Sequence, residues 1–306
     1  MNQNLRHINC TNRFMFYFLS SIDSIGAETI RRLDAKIDPL CEILNLNETV
    51  LRDTIGLSDS QVSGIINQRN RTDEVSEEFA MLEKSDIRFI TYHDEDYPLR
   101  LKNIKNSPMV LYVNGYLPED NKPSVSIVGA RASTNYGEYV SESFARALAN
   151  EGVNIISGMA VGIDGAAHRG ALDTAAGKTF AVLAGGVNVI YPRENTYLYK
   201  AMTCDGRGGA ISETTPGVPA ISRNFPMRNR IISGLADIVL LVEARSKSGS
   251  LITVEYAAAQ GRTVMAVPGR INDPMSKGTN SLISNGVRMA NRPADILDEL
   301  SKITNY

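Results

Sequence analysis

Residues 124–172 read SVSIVGARASTNYGEYVSESFARALANEGVNIISGMAVGIDGAAHRGAL, and this stretch decides the fold. It opens on a short charge-free run, Val125 to Val128, turns through a small-residue loop, and continues as a helical segment, GEYVSESFARALANEG. A second apolar run, Asn154 to Ser157, leads through another glycine-rich loop into GIDGAAHRGALDTAAG. Short strands without apolar/polar alternation are buried on both faces, so the pattern predicts a parallel sheet covered by helices. Downstream the same unit recurs as TFAVLA, GAIS, DIVLLVE and TVMAVP, with LITVEYAAAQG as a further helix. Ligands of such sheets sit beyond the carboxyl ends of the strands, where each glycine-rich stretch of this chain falls.

Upstream the pattern changes. From about Thr11 to Lys84 apolar residues recur at helical spacing in FMFYFLSSI, ETIRRL, LCEIL, VLRDTIGL and QVSGIINQ. The turn Ser24-Ile25-Gly26-Ala27 resembles half of a helix-hairpin-helix, which aims backbone N–H groups at a phosphate, but with a single glycine ordinary helix packing is the better reading. A connector follows with β-rich runs at Ile87–Tyr92 and Met109–Val113. Three segments result: a helical N-terminal domain over 1–85, a connector with strands over 86–122, and an α/β domain over 123–306. Up to Asp120 the chain has 19 acidic and 13 basic residues, and beyond it 15 and 19. Of the 24 glycines, 20 lie in that second part, which is therefore the candidate for binding an anion. The acidic first part could equally serve solubility. No apolar run approaches a membrane span, and the N-terminus lacks a signal-peptide cleavage pattern. Cys10, Cys41 and Cys204 are scattered, which suits a reducing compartment and neither a disulfide framework nor a zinc site.

Each strand-end loop offers donors. In the first, Gly129 allows close backbone approach, Arg131 can fork a phosphate, and Ser133 can cap the next helix or donate to an oxyanion. The order is not G-x-G-x-x-G, and the second strand ends in Ser157-Gly158 where a dinucleotide site places a carboxylate. Gly158 and Gly162 open the second loop. Asp164 there suits a helix cap better than a catalyst, and His168 suits packing better than metal binding. The third loop carries Arg193, as a rim cation or a solvated charge. Residues 214–236, TTPGVPAISRNFPMRNRIISGLA, hold Arg223, Arg228 and Arg230 and no acid. A basic segment with Phe225 among the arginines supplies charges for phosphates and a ring for base stacking. Phe225 could also be core, with one arginine paired internally. Ser248, Gly249, Ser250 and Thr253 follow the DIVLLVE strand and begin a helix, an arrangement that holds anions without the order of an ATPase loop. No general base, metal cluster or nucleophilic triad can be assembled.

These loops together resemble the DNA-processing protein A (DprA/Smf) family, through SIVGARASTNYG, SGMAVGIDGAAHRGAL, GKTFAVLAGGVNVIYPREN, NFPMRNRIISGLADIVLLVEARSKSGSLITVEYAAAQGRTVMAVPGRI and KGTNSLISNG. The resemblance spans roughly Phe14 to Leu300 and includes the connector. It implies an extended Rossmann-like domain behind a small SAM-like or helix-hairpin-helix-like domain. It implies a homodimer that binds single-stranded DNA and loads RecA during natural transformation, and the residues read above add the expectation of a cytoplasmic protein without cofactor or metal. Carried over by position, Arg131 and Arg193 look like phosphate contacts, and Phe225, Arg228, Asn229 and Arg230 fall on the family's Phe-Pro-x-Arg-Asn-Arg signature. Many members continue into a winged helix, whereas this sequence ends at Tyr306. A second family, phosphoribohydrolases of related fold, is echoed distantly by Ser248 to Glu255, which would make Glu255 a general acid. An adaptor with a vestigial pocket is the third reading.

Overall fold

The computed structural model describes residues 11–303. Six parallel strands form its centre: β3 (Ser124–Val128), β4 (Asn154–Ser157), β5 (Thr179–Val182), β6 (Gly208–Ser212), β7 (Ile238–Leu241) and β8 (Thr263–Ala266). The connector supplies β1 (Ile87–Thr91) and β2 (Val110–Gly115), which join one edge antiparallel, and β9 (Arg288–Met289) forms the other edge, parallel to β8. The nine strands lie in the order β1-β2-β6-β5-β4-β3-β7-β8-β9. From β3 the chain winds outward through β4, β5 and β6, then returns to start β7 on the opposite side of β3. The loops after β3 and β7 therefore part from each other and leave a crevice at their carboxyl ends.

The two faces of each strand divide the core between them, as the two-residue side-chain period requires. Val125, Ile127, Ile155, Ile238 and Leu240 pack under α6 (Asn135–Asn150), α7 (Ile163–Leu172) and α12 (Pro293–Ile303). Val128, Ile156, Val239 and Leu241 face the other way, toward α9 (Asn224–Gly234) and α10 (Gly249–Ala259). Both layers are apolar, which accounts for the unbroken hydrophobic runs. Helix α9 corrects the sequence reading of residues 224–234, which took them as part of an open basic segment.

The N-terminal part holds α1 (Asn12–Ser20), α2 (Ala27–Lys36), α3 (Asp59–Arg69) and α4 (Thr72–Glu83), and the remaining helices are α5 (Leu99–Lys102) in the connector, α8 (Thr196–Thr203) before β6 and α11 (Lys277–Ser284) before β9. Thr11 caps α1 by accepting from Phe14 N, and Ser58 with Gln61 forms a capping box on α3. The turn before α2 packs against α3, with Ser24 Oγ donating to the Ser60 carbonyl at 3.1 Å. These helices share one core with the edge strands: Phe14, Tyr17 and Phe79 lie in the same cluster as Phe89, Val110 and Tyr112. Cys41 is half-buried and Cys204 exposed, and Cys10 lies outside the described residues. Among the described residues no helix is long and apolar enough to cross a membrane.

Candidate nucleic-acid interface

A cavity of about 520 Å3 fills the crevice between the β3 and β7 loops. Its floor is Arg228 and Asp164. Arg228 projects inward from α9 and is only 6% exposed. Its Nη1 donates to the carbonyls of Gly158, at 2.6 Å, and Val182, closing the carboxyl ends of β4 and β5. Asp164 lies in the first turn of α7, also buried, and faces the guanidinium. Burial pushes the Asp164 carboxyl up, against the pull of Arg228. Burial likewise brings Arg228 down to about 10, which leaves it a cation at neutral pH. A Cβ on Gly158 would meet both side chains, at 2.4 Å from Arg228 and 2.6 Å from Asp164, so the bare backbone there makes room for the pair.

The rim is cationic and aromatic. Arg131 is exposed, and its guanidinium carbon lies 4.7 Å from the centre of the half-buried Phe225 ring. Tyr191 meets the same ring edge-on, with centroids 6.4 Å apart, and is itself exposed. Across the opening stand Arg245 and Lys247, then the N-terminus of α10, whose Ser248 caps the helix through Ser250 N. Thr253 is buried one turn further in and also lines the cavity, as do Gly249, Ser250 and Asn229. Asp164 is the one carboxylate among the lining residues.

The glycines of the first two loops serve loop–loop packing more directly than ligand approach. Gly129 lines the cavity, but a Cβ there would meet the Ile163 side chain at 2.7 Å. Gly162 has φ +80°, and a Cβ would lie 2.5 Å from the Ala130 carbonyl. Glu243 ties the first loop to β7, accepting from Thr134 N at 2.9 Å and Thr134 Oγ1 at 2.5 Å.

Four expected ligand groups are placed differently. Thr134, not Ser133, caps α6, and Ser133 Oγ donates to Glu138 at 2.8 Å instead. Arg230 is 2% exposed and points away from the cavity. Its guanidinium is held by Glu213, at 2.5 and 2.9 Å, and by the Asn106 carbonyl at 2.8 Å. The cost of burying an unpaired guanidinium fixes that partnership, so Arg230 is a structural residue. Arg228 touches the cavity, yet its charge is already engaged by carbonyls and Asp164. Arg193 is exposed on a 3-10 turn, Arg193–Asn195, and is not among the lining residues. Tyr191 and Arg245 were not singled out from the sequence. For Tyr191 the signal was available in the Tyr-Pro-Arg-Glu-Asn run, whereas Arg245 becomes significant only through the adjacency of β3 and β7. His168 is buried and packed, with Nδ1 2.7 Å from Thr179 Oγ1. Glu255 is exposed and is not among the lining residues. Among the described residues no cluster of three or more His, Cys, Asp or Glu could hold a metal.

A parallel Rossmann-like sheet with a cationic, aromatic-rimmed cavity at its switch point defines an anion-binding α/β protein. The sequence profile described as DNA recombination-mediator protein A matches residues 88–301. Protein Smf of Escherichia coli is 39% identical over 256 residues, covering 84% of this chain and 67% of that one. DNA processing protein DprA of Streptococcus pneumoniae is 41% identical over 206 residues, covering 67% and 72%. The X-ray structure of DprA from Streptococcus pneumoniae superposes with a TM-score of 0.80 at 32% identity, over 95% of this chain and 99% of that one. DNA processing protein A from Helicobacter pylori, solved for its single-stranded DNA binding mode, gives 0.62 at 28% identity, over 70% and 96%. The chain belongs to the DNA-processing protein A (DprA/Smf) family.

Proposed function

We propose that this protein binds single-stranded DNA at the cavity between the β3 and β7 loops and acts as a cytoplasmic recombination mediator that passes the strand to RecA. The observation that carries the reading is the Arg131–Phe225 contact on the cavity rim, 4.7 Å from guanidinium to ring, facing Arg245 and Lys247. A duplex hides its base faces, whereas a single strand offers a base to the ring and its phosphates to the cations. The single-stranded DNA binding mode named for the Helicobacter pylori relative supports the same ligand. The polar lining groups are mainly N–H and hydroxyl donors, and the single carboxylate, buried near Arg228, accepts from Ser157 and from the Gly158 and Ala160 backbone. Such groups bind a phosphodiester and leave it intact, so the protein carries a strand and catalyses no reaction on it. A mediator must then also touch RecA, and we infer a homodimer as the working unit.

The test is a gel shift with single- and double-stranded oligonucleotides at two salt concentrations. Single strands bind more tightly, and affinity falls as salt rises because bound counterions are released. Equal duplex affinity or salt-independent binding would count against the reading. For the mediator step, strand exchange by RecA on DNA coated with single-strand-binding protein accelerates when this protein is added. Intact strand binding without acceleration would reduce the role to DNA protection.

A further inference from the structure

We propose, resting on the DNA-binding reading above, that the cavity receives a nucleotide bearing a phosphomonoester, as presented by the phosphorylated end of a strand or by a free nucleoside monophosphate. Two properties of the cavity lead there. The first is its closed floor. Arg228, Asp164 and Ile232 are all buried beneath it, so a chain cannot thread through and a single nucleotide must enter from above. The volume of about 520 Å3 accommodates a nucleotide. The second is its charge. Arg131, Arg245 and Lys247 line the cavity and are exposed, and α10, eleven residues long, turns its N-terminus and Ser248 to the same space. Asp164 is balanced by Arg228, leaving three free cationic side chains and a helix terminus.

A phosphodiester inside a strand has one negative charge, and its neighbours are strung out along the backbone. A terminal phosphomonoester carries roughly 1.5 to 2 negative charges on three acceptor oxygens. The concentration of cations and donors at one mouth suits the second better. Phe225 then stacks the base while the phosphate lies between Lys247 and the start of α10.

Fluorescence anisotropy on the full chain separates the possibilities, using one 20-nucleotide sequence as a 5′-phosphate, a 3′-phosphate, a hydroxyl-ended strand and a closed circle. One phosphorylated end binds about tenfold more tightly than the hydroxyl-ended strand, the scale of one added charge-assisted contact. In Lys247→Gln, an exposed substitution that leaves the core untouched, that preference falls to about twofold or less. Thymidine monophosphate displaces the labelled strand at about tenfold lower concentration than thymidine. If the ends are equivalent but the monophosphate still out-competes the nucleoside, the site belongs to the free nucleotide. If the strands all bind alike and the monophosphate competes no better than the nucleoside, the proposal is overturned and strand binding stands. If no strand binds, the functional reading itself fails.

Discussion

Arg131 holds its guanidinium over the Phe225 ring, and among the described residues no carboxylate pairs with it. Removing it leaves no buried group unsatisfied. Arg131→Ala therefore weakens single-strand binding by about 1–3 kcal/mol, alike for all sequences, and leaves the unfolding midpoint nearly unchanged. Arg230→Ala behaves in the opposite way. Glu213 and the Asn106 carbonyl lose their partner in the interior, so stability falls by about 3 kcal/mol in chemical denaturation. A normal denaturation midpoint for Arg230→Ala would show that the ion pair contributes nothing net. His168 adds a pH dependence. Thr179 Oγ1 spends its proton on the Ile155 carbonyl, so His168 Nδ1 donates to Thr179 and Nε2 is left bare and buried. Burial, helped by the Arg228 cation, pushes this imidazole down to about 3. The unfolded chain takes up a proton near pH 6.5 and the folded one does not, so this stability is present above pH 6.5 and drains away as pH falls toward 3. Between pH 7 and 5 wild type loses about 2 kcal/mol more than His168→Gln, by denaturant titration at both pH values. Parallel losses would place the imidazole in contact with solvent.

At the scale of elements, the central strands were legible because each is short and charge-free, and because Ile155 and Ile156, or Val239 and Leu240, are buried on opposite faces. Helix α9 was not. Pro226 suggests a break, but in the first turn of a helix its missing N–H is not needed. Arg228 and Arg230 project from different sides of the helix and are both buried where a helix ordinarily presents apolar residues, so the hydrophobic period is masked. The same substitution of buried arginine for apolar residue made both look like ligand contacts. Arg131, Phe225 and the Ser248 loop could be found because each occupies a strand end or a helix start. Helices α6 and α7 pack so closely that a Cβ on Gly170 would lie 2.2 Å from the Glu142 carbonyl oxygen. Gly170→Ala must push the helices apart and destabilises the fold by about 1–3 kcal/mol, despite the higher helix propensity of alanine. A stabilised variant would mean that α7 shifts freely, and would contradict the tight interface.

Across the whole molecule, the proposed homodimer needs a self-complementary surface, and the exposed apolar residues restrict where it can lie. Of the apolar residues toward the C-terminal end, Met265, Val267 and Met275 are buried and belong to the interior. Ile271 is 93% exposed and Met289 45% exposed. Met289 belongs to β9, which among the described residues pairs with β8 alone and leaves the far edge of the sheet open, and Ile271 follows β8 in the chain. An open edge with apolar side chains beside it invites pairing with a second copy. The opposite edge has no such freedom on its N-terminal side, because Phe89 of β1 is already covered by Tyr17 and Phe79. Ile271→Glu places a charge on the exposed segment that follows β8 without touching the core or the cavity. Sedimentation at micromolar concentration then finds wild type as a dimer and Ile271→Glu as a monomer, with an unchanged unfolding midpoint. The monomer retains a complete cavity, so its affinity for a short strand is preserved, while the gain from two linked sites on a long strand is lost. A variant that stays dimeric moves the interface away from this edge, and a monomeric wild type removes the homodimer from the proposed function.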